Sequence, residues 1–160
     1  MATGKEPARR DVLSISPSRE SAALEPAGGH ILRTLSPGEC FELLEPGGIG
    51  RVGFTSSDGI MMLPVNFVLS GKAVVFRTAP DTLLAVYATA QVSFESDRLD
   101  EIAHEGWSVL IQGHAHKISD EREIRHLEER ACLQPWASGA RDVYVRIAPI
   151  RISGRRLGPG

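Results

Sequence analysis

The chain is short of most features that would mark it for an oxidising compartment, a membrane or a polyanion. Two cysteines occur in 160 residues, Cys40 and Cys132, far apart and without metal-ligand spacing. They are expected to stay reduced thiols rather than form a disulfide framework. No apolar run approaches the ~18 residues that a spanning helix needs. Lys5, Glu6, Arg9, Arg10 and Asp11 interrupt any apolar core of a secretion signal. A cytoplasmic location is the expectation. A formal net charge of −2 gives no general attraction to nucleic acid or anionic lipid, so neither is an expected partner.

Motifs with a fixed chemistry are also missing. There is no nucleophile elbow, Walker loop or dinucleotide fingerprint. Gly47-Gly48-Ile49-Gly50 reads as a helix stop, because no helix follows it. Ser56, Ser57 and Asp58 form a turn, not a triad. His114 and His116 share one side of a strand, and His104 or Glu105 lies in the same stretch. Nothing fixes a third ligand nearby, so no metal is expected. No internal repeat is present.

What remains is an ordinary globular composition, 42% apolar and 24% charged, in a length suited to one domain. Met1 to about His30 is rich in Ala, Ser, Pro, Gly and charge without periodicity, and reads as a flexible extension. Residues 31–157 are expected to form the folded domain, with firm folding signals from Leu35, while the tail Gly158-Pro159-Gly160 should fray. Ser36-Pro37-Gly38-Glu39 combines a Ser cap, a Pro start and a Glu at the third position. The helix it opens should stop at Pro46-Gly47-Gly48.

Strands are predicted from Ile49 to Ser56, Ile60 to Leu69 and Ala73 to Thr78, joined by tight turns at Ser57-Asp58-Gly59 and Ser70-Gly71-Lys72. Thr78 should cap a helix from Ala79 to Ala88, with Pro80 in its first turn. Further strands follow at Gln91–Glu95 and Glu105–Ile118, the latter bent at Gly113. A helix from Asp120 to Ala131 comes next. A last strand over Asp142–Ile147 and Ile150–Gly154 is expected to break at Pro149. The sum is a mainly β (α+β) fold, with six antiparallel strands closing into a small barrel and two or three peripheral helices.

One junction carries chemistry. Phe76-Arg77-Thr78-Ala79-Pro80-Asp81-Thr82 places a guanidinium, two hydroxyls and a helix start in one segment, and Thr82 follows Thr78 by one helical turn. Such a group suits a phosphate. On residues alone, such a segment is far more often a cap with a solvated Arg. Met61-Met62-Leu63-Pro64-Val65-Asn66-Phe67 offers a strand whose Pro suits an edge position. Its alternation alone would also make Met61, Leu63, Val65 and Phe67 a core face.

These segments, with Gly106-Trp107-Ser108-Val109 through Gln112-Gly113-His114-Ala115, Gln134-Pro135-Trp136-Ala137 and Ile152-Ser153-Gly154-Arg155-Arg156, resemble the flavin-binding split barrels of the pyridoxamine 5′-phosphate oxidase superfamily, in an actinobacterial-type branch. The resemblance spans Ser36 to Leu157. It implies a Greek-key split barrel, FMN as cofactor, and a homodimer with the cofactor at its interface. Contacts would come from the backbone of Met62, Leu63, Pro64, Val65 and Asn66, from Arg77, Thr78, Thr82 and Ser108, and from Trp136 and Arg155. Trp107 would alternate to the other face and shield the site or the interface. Pro80-Asp81 and Leu83 depart from the family pattern, which usually has a small flexible pair and a phosphate-binding Lys there.

The implied activity is a flavin-dependent oxidoreductase acting on a small-molecule substrate. A non-catalytic flavin- or haem-binding protein and a deazaflavin-dependent reductase are the alternatives. No residue marks a catalytic acid or base. The Arg-x-His signature of true pyridoxamine phosphate oxidases is missing near the C-terminus, so vitamin B6 oxidation is not expected.

Overall fold

The computed structural model describes residues 29–87, 90–129 and 140–159. Its elements run β1 (His30–Leu35), α1 (Pro37–Leu44), β2 (Gly48–Ser56), β3 (Gly59–Ser70), β4 (Ala73–Thr78), α2 (Leu83–Val86), β5 (Gln91–Asp100), β6 (Glu105–Lys117), α3 (Glu121–Glu129) and β7 (Val143–Pro159). All pairings are antiparallel, in the order β1-β7-β4-β3-β2-β5-β6 with β6 returning to β7. Six strands, β2 to β7, therefore close a ring. β2, β3 and β4 form a meander, and β5 returns to lie beside β2, which is a Greek key. β1 is a seventh strand, added to the far half of β7 beyond the stretch paired with β4.

Alternation builds the interior. Val52 and Phe54 of β2, Val65 and Phe67 of β3, Val74 and Phe76 of β4, Val92 and Phe94 of β5, Val109 and Ile111 of β6, and Val145 and Ile147 of β7 pack in one buried cluster. Strand side chains two apart share a face, so each strand needs only every second position apolar. The Phe67 and Phe94 rings meet edge to face, 4.8 Å between centroids. A smaller cluster outside the barrel joins Val75 and Tyr144 to Ile118 and to Leu127 of α3.

The local signals behind several elements are visible in the hydrogen bonds. The capping box opens α1: the Ser36 N–H donates to Glu39 Oε2 at 2.8 Å, and the Glu39 N–H donates to Ser36 Oγ at 3.4 Å. Asp120 caps α3, accepting from the Arg122 N–H at 2.8 Å. The β6–β7 register shifts at Gln112/Gly113, where Gly113 faces Pro149. A Cβ on Gly113 would strike the Ala148 carbonyl, so the bulge requires glycine.

Four expectations are corrected. β7 runs unbroken through Pro149, because the bulge at Gly113 absorbs the extra residue that Pro149 would otherwise expel from the ladder. Gly158 and Pro159 do not fray: they pair with Ile31 and His30. β1 begins at His30, ahead of the first signal expected at Leu35, while the rest of the expected extension, residues 1–28, lies outside the described residues. Finally, the helix expected from Ala79 to Ala88 is the four-residue α2, capped by Thr82 and not by Thr78. Among the described residues no helix is long and apolar enough to cross a membrane.

Candidate functional site

β3 has twelve residues, yet it pairs with β4 only over Phe67–Ser70. From Gly59 to Asn66 it bonds to β2 on one side alone. The barrel wall splits here, and the second edge of β3 leaves backbone N–H and C=O groups without a ladder partner. Pro64, opposite Arg51 on β2, falls in this half-paired stretch, where a missing donor is tolerated. Alternation sends Leu63 and Val65 toward the core and Met62, Pro64 and Asn66 outward; Met62 is 64% exposed.

β4 leaves the split at Arg77 and Thr78, and consecutive strand residues point to opposite faces. Thr78 turns inward and is 1% exposed. Its Oγ1 lies 2.7 Å from Thr82 Oγ1, which donates to the Ala79 carbonyl at 2.8 Å and so accepts from Thr78, and the Ala85 N–H reaches the same Thr82 oxygen at 3.3 Å. The two hydroxyls converge, as the spacing implies, but they bond each other inside the wall.

Arg77 turns outward, the face shared by Asn66. Its Nε donates to the Arg141 carbonyl at 2.8 Å, its guanidinium carbon stands 4.9 Å from the Tyr144 ring centroid, and Asp142 Oδ1 is 3.9 Å from Nη2. Burial pushes the Tyr144 phenol above its ordinary pKa, and the Arg77 charge opposes that rise. Tyr144 Oη donates to Glu128 of α3. Tyr144, Arg141 and Asp142 thus orient Arg77. Sequence reasoning missed all three, because only the β4–β7 register brings Tyr144 opposite Arg77.

Ser108 and Arg155 are direct partners across β6 and β7, with Asp97 of β5 on the other side of Ser108. This pair is far from Arg77. Four strand spacings of ~4.8 Å, about 19 Å of wall, separate β4 from β6 by way of β3. By way of β7, the partner of Arg77 is Tyr144 and the partner of Ser108 is Arg155, near opposite ends of that strand. Met62–Asn66 and Arg77 therefore form one group and Ser108 with Arg155 another. Thr78 and Thr82 face inward, and Trp136 lies outside the described residues.

Geometry of this kind has relatives. A family model described as pyridoxamine 5′-phosphate oxidase matches residues 36–156. The chain belongs to this family. Its relatives include actinobacterial proteins. It is 33% identical to the FAD-binding protein of Mycobacterium smegmatis, over 78% of this chain and 97% of that one, with a TM-score of 0.65. A conserved Corynebacterium diphtheriae protein of unknown function matches at 33% identity, over 78% and 96% of the two chains, with a TM-score of 0.64. An uncharacterized protein of Mycobacterium tuberculosis is 32% identical over 125 residues, 74% of this chain and 81% of that one. In this member of the pyridoxamine 5′-phosphate oxidase family, the split between β3 and β4 exposes a strand edge. A free strand edge bonds a planar heterocycle through main-chain donors and acceptors, and Arg77 supplies positive charge at its end. Among the described residues no three His, Cys, Asp or Glu side chains gather as a metal site.

Proposed function

We propose that this chain is a flavin-binding oxidoreductase that holds FMN along the free edge of β3 and acts as a homodimer on a small molecule in the cytoplasm. The observation that carries the proposal is the backbone edge from Gly59 to Asn66, paired with β2 on one side and free on the other, ending beside Arg77 on the same outward face. The residues fit such a group in two respects. The main chain of Met62–Asn66 offers donors and acceptors for a ring edge, with Pro64 an acceptor only, and Arg77 keeps both Nη groups clear of strong partners among the described residues. Thr78 and Thr82, turned inward, contribute by building the junction rather than by touching a phosphate.

When bound, flavin supplies hydride and electron chemistry of its own. The chain's part is to bind and orient it. Arg77, braced on the Arg141 carbonyl and Tyr144, fixes an anionic group. Leu63 and Val65 keep the wall behind the edge apolar. A dimer is favoured because Ser108 and Arg155 lie too far round the wall to meet a ligand seated at Arg77 of the same chain. A second copy brings them to it.

The 33% identity to an FAD-binding protein supports flavin in general and raises FAD as the second reading. The test is the spectrum of the purified protein and the mass of what denaturation releases. A yellow protein releasing FMN is the expected result. Release of FAD selects the second reading. A Soret band, or a colourless protein stabilised only by a deazaflavin, overturns both.

A further inference from the structure

Barrel registers set residues from distant parts of the chain side by side. One such row runs Arg98 (β5), Trp107 (β6), Arg156 (β7) and Arg33 (β1), each directly opposite the next. Directly opposed residues share a face with Cβ atoms about 5 Å apart. The row lies on the inward-facing set of β6, at the end of the barrel where the wall opens; Trp107 itself packs against the core cluster. Arg33 is neutralised by Glu39, 2.7 Å away. Arg98 and Arg156 have no carboxylate within ion-pair distance among the described residues. Asp97, the carboxylate next to Arg98 in sequence, and Glu95 are both engaged by Arg51 on the outer face.

Arg98, Trp107 and Arg156 border a groove of about 690 Å³ that Leu99, Ile102 and Leu157 also line. Leu99 and Ile102 are 67% and 97% exposed. Gly106 forms part of its floor: a Cβ there would come within 2.8 Å of Leu99 Cδ2 and strike the Arg98 carbonyl. Three carboxylates share the rim. Asp100 is committed to the Ile102 and Ala103 N–H groups, at 3.0 and 2.9 Å. Glu101 and Glu105 are exposed and would repel a ligand of high negative charge.

We propose that the Arg98–Trp107–Arg156 row is a second ligand site, taking a planar aromatic molecule that carries a single phosphate or carboxylate. The indole and its aliphatic neighbours supply a stacking surface. The two guanidiniums on either side supply the charge-assisted bonds for one anionic group. The acidic rim limits the charge accepted. The site is distinct from the flavin site, since alternation turns Trp107 and Arg156 to the opposite face from Ser108 and Arg155.

The test uses the full chain with Trp136→Phe, so that tryptophan fluorescence reports Trp107 alone, titrated with AMP, benzoate, adenosine and inorganic phosphate. Expected is saturable quenching by AMP or benzoate in the submillimolar range, with adenosine and phosphate each roughly tenfold weaker or more. Arg98→Gln and Arg156→Gln should each weaken the binding by a similar factor; both side chains are exposed, and an unchanged circular-dichroism spectrum confirms the fold. The proposal is overturned if neither AMP nor benzoate binds, if adenosine or phosphate alone binds as well, or if both Gln variants bind normally. None of these outcomes bears on whether the chain holds flavin at the β3 edge.

Discussion

Arg77 spends one nitrogen on the Arg141 carbonyl and stacks near Tyr144, which aims its other two nitrogens without consuming them. Hydrogen bonds to charged groups contribute about 1.5–3 kcal/mol, so Arg77→Ala should weaken flavin binding by roughly tenfold or more while leaving the far-ultraviolet spectrum unchanged. Fluorescence titration with FMN measures this, and unchanged affinity would remove Arg77 from the site. A second residue-scale effect concerns acid. The Ser36 backbone N–H, then the Arg33 guanidinium and the Ser36 hydroxyl, hold the Glu39 carboxyl down from its ordinary 4.5 to about 2. A folded pKa below the unfolded one stabilises the protein above the unfolded value, and that contribution fades as pH falls from about 4.5 through about 2. Denaturation midpoints of wild type and Glu39→Gln should therefore differ most near neutrality and converge toward pH 2.

At the scale of elements, α2 is the most fragile piece. It has four residues and rests on one side chain, Thr82, which both caps it and pairs with the buried Thr78 hydroxyl. Losing the cap costs about 1 kcal/mol, and stranding a buried hydroxyl adds about 1–3 kcal/mol. Thr82→Ala should accordingly lose about 2–4 kcal/mol in urea unfolding, and Thr82→Ser should recover most of it. The sequence disclosed the elements whose signals are local. The capping box of α1, the Asp58-Gly59 and Gly71 turns and the Gly113 bulge can each be read from neighbouring residues. β1 is different: Ile31 and Leu32 are adjacent and both exposed, and only Leu35 is buried, so no period marks the strand. Its existence depends on β7, more than a hundred residues away. For the site, the sequence reading groups Arg77, Thr78 and Thr82 on one phosphate, whereas strand alternation turns Arg77 outward and Thr78 inward. The bracing of Arg77 by Tyr144 and the Arg98–Trp107–Arg156 row were not legible, because register across strands is a property of the closed barrel.

For the molecule as a whole, closure sets Arg77 and Arg155 on separate parts of the wall, and that gives the dimer proposal a direct test. One chain carrying Arg77→Ala and another carrying Arg155→Ala, co-expressed, would form mixed dimers in which one site is fully intact and the other doubly impaired. Binding of one flavin per mixed dimer at wild-type affinity is expected, measured by absorbance after separating the species on two affinity tags. Impaired binding at every site would mean that both arginines act within a single chain, and two unimpaired sites would mean that neither acts. β7 is the strand on which this architecture turns, since it is bonded to β4 and β6 along one part and to β1 and β6 along the other. No seam of the barrel next to it can part without disturbing two neighbours. Its inner amides should be among the slowest in the protein to exchange with deuterium, and the free rim of β3 among the quickest. The same chain thus keeps a stiff spine opposite a yielding lip, so a visitor can be admitted at the lip while the rest of the wall stays shut.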